Sequence, residues 1–196
     1  MYLSGDVAGV SRIRRPLELL PLHRLRAALQ RLQVGETNWD ALTHAAEEPM
    51  AADELPSLLW CVWQRLSTEQ LRLAVSDAWT GVQFPERLLP RWKWLPIYRK
   101  VGYHFDRKPA EPPSSIQLWR VAGVKDASMS WMADQERAVW TARQLGVPRV
   151  MGGTPCRLRT VTVGPDRLLA HYQQLHYWQD EYVIDPTGLL AKEVSR

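Results

Sequence analysis

The sequence predicts an α+β protein, an N-terminal helical segment followed by a compact sheet-containing part, and three observations predict it. Leucines recur at helical spacing among arginines early in the chain. Residues 107–115 then bring together three prolines and two serines, which end the helical texture. Beyond them, short segments alternate apolar and polar residues with the period of half-buried strands. Helices first and strands afterwards argue against repeated βαβ units.

Each helix has a local reason. Residues 16–33 set Leu17, Leu20, Leu25, Leu29 and Leu32 among arginines, and Pro21 limits the first turn. Asn38 suits the N-cap of a second helix opening at Trp39 and Asp40. Residues 53–66 form the third. A fourth opens at Ser67, which has the spacing of a capping box with Gln70, and carries Leu71, Val75, Ala78 and Trp79 on one side. Residues 92–101 make a short fifth despite Pro96.

In the second half, strands are expected at residues 116–121, 127–131, 157–163, 167–172 and 181–184. One helix interrupts them over residues 134–145, with Asp134 as N-cap and Ala138, Val139, Ala142 and Leu145 facing inward. Residues 107–115 read as a stiff, extended connection. It divides a helical region, 1–108, from a second domain, 109–196, unless the two form one integrated domain.

Composition narrows the function. A chain of 196 residues with 45% hydrophobic residues can build a core unaided by metals or disulfides. Ten tryptophans stand against two phenylalanines, and core packing is the expected use for most of them. The net charge of +4 comes mainly from arginine. It favours encounter with anions but contains no dense basic run. Arg14 with Arg15, and the triplet Arg91-Trp92-Lys93, come closest and read as solvated basic faces. Cys61 and Cys156 lack metal-ligand spacing; the pair allows one disulfide, and two lone buried thiols are the expectation for a reducing compartment. The five histidines lack ligand spacing too, so no metal is expected. Gly152-Gly153-Thr154 lacks the lysine of a phosphate loop. The longest apolar run is broken by Pro56 and Ser57 and falls far short of the ~20 residues a bilayer requires. With no signal-like N-terminus, a cytoplasmic location is expected.

Three features of the second half occur in a telling order. Arg120 ends the first strand after the proline-rich stretch, Ser130 precedes an aromatic on the next, and Gln179-Asp180-Glu181 enters a β-rich segment. From Ile116 onward the chain resembles the ADP-ribosyltransferase fold of Arg-Ser-Glu type, a group that includes many bacterial toxins and phage-encoded modifiers. The resemblance implies a split sheet and a mono-ADP-ribosyltransferase that moves ADP-ribose from NAD to a macromolecular acceptor, protein ahead of nucleic acid. Glu181 would stabilise the oxocarbenium-like ribose and Arg120 would grip the pyrophosphate. Ser130 would bind the ribose or orient Glu181. Trp119 or Trp131 would wall the nicotinamide pocket. Gln179 would face the acceptor, and an amide cannot serve as a general base, which disfavours arginine acceptors. His176 and Tyr177 would recognise the acceptor. One residue departs from the family pattern: Met132 stands where a hydroxyl residue usually closes the Ser-x-Ser/Thr motif. That departure favours an alternative, a catalytically inactive binding module working through protein–protein contacts of the Trp-rich helical half. A DNA-associated regulator using the basic helices is a third reading.

Overall fold

The computed structural model describes residues 22–123, 128–144, 150–151, 154–173 and 180–194. Helices come first: α1 (Leu22–Gln33), α2 (Trp39–Thr43), a 3-10 turn (Ala52–Glu54), α3 (Leu55–Val62), α4 (Thr68–Thr80), α5 (Pro85–Leu88) and α6 (Arg91–Val101). The remainder is β1 (His104–Phe105), β2 (Lys108–Pro109), β3 (Ile116–Ala122), β4 (Ser130–Met132), α7 (Gln135–Gln144), β5 (Val150–Met151), β6 (Thr154–Pro155), β7 (Arg157–Val163), β8 (Leu168–Tyr172), β9 (Glu181–Ile184) and β10 (Lys192–Glu193). The α+β class is therefore present.

Local chemistry accounts for the helix starts. The Asn38 side chain accepts from Ala41 N–H at 3.0 Å, the Ser67 hydroxyl from Gln70 N–H at 3.2 Å, and Asp134 from Arg137 N–H at 2.6 Å. The capping box expected of Ser67 and Gln70 is only half built, because Gln70 Oε1 accepts from Trp39 N–H at 2.7 Å instead. Gln70 thereby ties α4 to the start of α2. Trp39 adds a second tie, its indole N–H donating to Asp77 at 3.0 Å.

Eight strands form one mixed sheet in the order β10-β7-β3-β4-β9-β8-β1-β2, while β5 and β6 pair separately. β1 runs parallel to β8, and the other pairings are antiparallel. The stretch expected to be a plain connection contains β2, folded back on β1 at the outer end of the sheet. Strands of two residues have no readable period, and Pro109 is tolerated there because an outermost strand need not donate on both sides. The turn between them uses Asp106 at φ 51°, with its N–H on His171 O at 2.8 Å.

The sheet separates two cores. One holds the buried faces of the helices, with Leu58, Leu71, Val75, Trp79, Trp94 and Tyr98, and continues into Met129, Leu169, Tyr172 and Val183 of the sheet region. The other collects Leu118, Trp131, Val161, Val163, Leu168, Tyr182 and Ile184. Helices and strands thus share one hydrophobic cluster across residues 108 and 109. On α7 the inward face is Ala138, Thr141 and Ala142, with Val139 only half-buried; Leu145 lies outside the described residues. Cys156 is buried as expected, but Cys61 is exposed, because its position on α3 points away from the face carrying Leu58, Leu59 and Val62.

Candidate functional site

Strand order brings the motif residues together. β3, β4 and β9 are immediate neighbours, so segments far apart in sequence deliver Arg120, Ser130 and Glu181 to adjacent strands. Register then sorts the faces. Trp119 lies opposite Met132, Met132 opposite Glu181, and Glu181 opposite Tyr172. Directly paired residues share a face, so these four form a row across the sheet on the side that the helices cover. Ser130 is two residues from Met132 and shares that face.

Glu181 is 5% exposed. Its Oε1 accepts from the indole N–H of Trp79 on α4 at 3.2 Å, and the Ser130 hydroxyl is a further donor to the carboxylate. Burial raises the Glu181 pKa above the ordinary carboxylate value. Ser130, Trp79 and the positive charge of Arg120 oppose that rise, while Glu86 adds to it. Two carboxylates and one guanidinium therefore share this region.

Arg120 arrives by an indirect route. Its regular pairing with β7 puts Leu118 and Arg120 on one face and Trp119 on the other. β3 and β4 have a single paired position, Trp119 with Met132. Beyond it the Arg120 guanidinium reaches across to β4, Nη1 donating to Ser130 O at 2.7 Å. The arginine thus braces the main chain of the serine whose hydroxyl faces Glu181.

The two tryptophans proposed as pocket walls go separate ways. Trp119 is half-buried and belongs to the Glu181 row. Trp131 turns to the opposite face, is buried in the second core and donates its indole N–H to Ser128 O at 2.9 Å. The structure does not bring Trp131 to the carboxylate. Gln179, His176 and Tyr177 lie outside the described residues.

Three site residues had no sequence signal. Trp79 could be read only as an inward-facing helix residue. Glu86 sits on the four-residue α5 and accepts from Met129 N–H at 3.0 Å and from the Ser128 hydroxyl. It pins the chain just ahead of Ser130. Ser128 is the third. α5 itself is held by Trp94, whose indole N–H donates to Pro85 O at 3.3 Å. Trp94 also packs edge-on against Trp79, with centroids 5.1 Å apart.

The motif's middle residue has a distinct role. Asp180 has φ 62°, a left-handed conformation that Asp tolerates better than most residues. Its carboxylate meets His171 Nε2 at 2.9 Å, and the His171 ring stacks on Tyr182 with centroids 4.0 Å apart. Asp180 O also accepts from Ala133 N–H at 3.3 Å. These contacts fix the backbone at the entrance to Glu181.

Beneath the row lies a buried polar chain. His104 Nδ1 is 3.0 Å from Gly102 O and so carries the ring proton. Its Nε2 then accepts from the Tyr172 hydroxyl at 3.1 Å, and Tyr98 donates to Tyr172 at 3.3 Å. Burial lowers the His104 pKa to about 4 and pushes both tyrosines up. Among the described residues no group of His, Cys, Asp and Glu is arranged to hold a metal ion, and no helix is long and apolar enough to cross a membrane.

Comparison with protein-family models, curated proteins and solved structures finds no match to this chain.

Proposed function

We propose that the protein is a mono-ADP-ribosyltransferase that uses NAD as donor and a macromolecule as acceptor. One observation carries this reading: Glu181 is buried between a serine hydroxyl and an indole N–H, on the strand beside Ser130 and one strand further from Arg120. The arrangement suits a reaction in which positive charge grows on a sugar.

In that reaction the bond from the ribose C1′ to the nicotinamide nitrogen breaks, and nicotinamide leaves with the bonding pair. The ribose passes through an oxocarbenium-like state, as in glycoside hydrolysis. Glu181 as carboxylate stabilises that charge and accepts a hydrogen bond from the 2′-hydroxyl. An acceptor nucleophile then attacks C1′ and gives up its proton. Ser130 and Trp79 hold the carboxylate in place. Arg120 offers charge-assisted donors to the pyrophosphate while bracing β4 through Ser130 O. Trp119 flanks the row on its β3 side.

Met132 is the residue that argues against activity. It faces Glu181 directly, where the family pattern has a hydroxyl, and so gives the carboxylate an apolar neighbour. Trp79 supplies the second donor that this position lacks. This substitution of an indole N–H for a hydroxyl favours the enzyme over the inactive binding module.

The test is incubation of purified protein with NAD labelled in the adenylate part, in cell lysate, alongside Glu181→Gln. Label on a macromolecule, reduced about a hundredfold to a thousandfold in the variant, supports transfer. No label, no nicotinamide release and no effect of NAD on the melting temperature would sink the reading and leave the binding module.

A further inference from the structure

The triplet Arg91-Trp92-Lys93 is not an isolated basic face, because the fold places it against two tryptophans of α3. Trp60 stacks with Trp63 at 6.2 Å between centroids and meets Trp92 edge-on at 5.8 Å. The Lys93 ammonium sits 4.8 Å from the Trp60 ring and 5.2 Å from the Trp92 ring. Lys100 sits 5.6 Å from the Trp63 ring while donating to the carbonyls of Trp63 and Gln64, both at 3.1 Å. Trp92 is 64% exposed, and Trp60 and Trp63 are half-buried.

The two segments that carry these rings hold charge of one sign. Residues 55–66 and 91–101 contain Arg65, Arg91, Lys93, Arg99 and Lys100 and no Asp or Glu. Arg99 is paired with Asp185 at 2.7 Å, and the positive charges nearest the rings are those of Lys93 and Lys100. Lys93 bears electrostatically on the thiol of Cys61, so that exposed residue lies at the edge of the same patch.

Three touching indoles with ammonium groups over them form a stacking surface with a positive rim. We propose that this face of α3 and α6 binds single-stranded nucleic acid, with an unpaired base stacking on the exposed Trp92 ring and phosphates neutralised by Lys93 and the cations beside it. Aromatic rings take bases of any identity, and cations alongside follow the backbone. Duplex hides its base faces and would use only the cations. An acidic peptide would use the cations but offers no flat ring for the indoles. The proposal is independent of the transferase reading, since no Glu181 chemistry enters it.

The experiment is a fluorescence-anisotropy titration of the full chain with a labelled oligothymidylate of about 15 nucleotides, at several salt concentrations. Duplex of equal length, polyglutamate and phosphatidylserine vesicles serve as the other arms. Expected are single-strand binding stronger than duplex binding, weakening by roughly tenfold or more in Trp92→Ala, and a shallower salt dependence in Lys93→Glu. Alkylation of Cys61 by iodoacetamide should slow when the strand is bound, with buried Cys156 as internal reference. Glu181→Gln should bind the strand as wild type does, so this proposal and the transferase reading can fail separately. Absence of binding at low salt, binding indifferent to both patch variants, or preference for vesicles or polyglutamate overturns the proposal. Unchanged melting temperatures of the variants show that the fold is intact.

Discussion

Two tryptophan clusters in this molecule use one residue type in opposite ways. Around Glu181, Trp79 and Trp94 are buried, pack edge-on and spend their N–H groups on Glu181 and Pro85. On α3 and α6, Trp60, Trp63 and Trp92 lie on or near the surface with ammonium groups over their rings. The inner cluster fixes a carboxylate; the outer one faces solvent with a positive field. The difference teaches that an abundance of tryptophan does not by itself mean a large core. Trp92 and Trp94 are two residues apart on α6, and the helix turn sends one outward and the other in.

Breaking the inner cluster should have the largest effect. Trp79→Ala removes a side chain that is 1% exposed and strands the Glu181 carboxylate without one donor. A loss of about 3–5 kcal/mol is expected in denaturant unfolding. Trp79→Phe separates the two contributions, keeping most of the packing while removing the N–H, and should cost about 1–3 kcal/mol.

The polar chain under the inner cluster should show itself in acid. His104 is held neutral, with its pKa lowered from 6.5 to about 4 by burial. The unfolded chain takes up that proton at higher pH than the folded one, so stability is fully present above pH 6.5 and falls as pH drops towards about 4. The loss amounts to about 3 kcal/mol over that window. His104→Gln should flatten this part of the stability-against-pH curve. A curve equally steep in the variant would show that other groups carry the acid sensitivity.

Glu181 should give a smaller dependence of opposite sign, because donors and Arg120 offset part of its desolvation. Its folded pKa is raised, so its contribution is fully present below the unfolded value and is lost as pH rises through the folded one. Melting curves of wild type and Glu181→Gln should therefore diverge in favour of the variant towards higher pH. The smallest effect is expected at the outer cluster. Trp92→Ala should change unfolding free energy by no more than about 0.5 kcal/mol, as exposed sites usually do. A large loss there would erase the contrast between the clusters.

Much of the fold was legible because the responsible signals are local. Asn38, Ser67 and Asp134 cap the helices that their side chains suggest, and the alternation at residues 157–163 matches β7 end to end. β1, β2 and β10 were not legible, since two residues carry no period and owe their strand conformation to neighbours. Gln70 has the correct spacing to close its cap, yet a competing donor on Trp39 takes its side chain. Of the candidate site, Arg120, Ser130 and Glu181 were readable from type and order. Trp79 and Glu86 were not, because each reaches the site from a helical segment with no motif of its own.

The sequence alone thus determined where helices start and which faces are apolar. Those properties depend on neighbours within a few positions along the chain. Tertiary structure decided that β3, β4 and β9 lie side by side, that Trp131 turns away while Trp79 comes in from α4, and that Trp92 meets Trp60 across two helices. Each of those outcomes depends on strand register and helix packing, which are set when distant segments bury their apolar surfaces together.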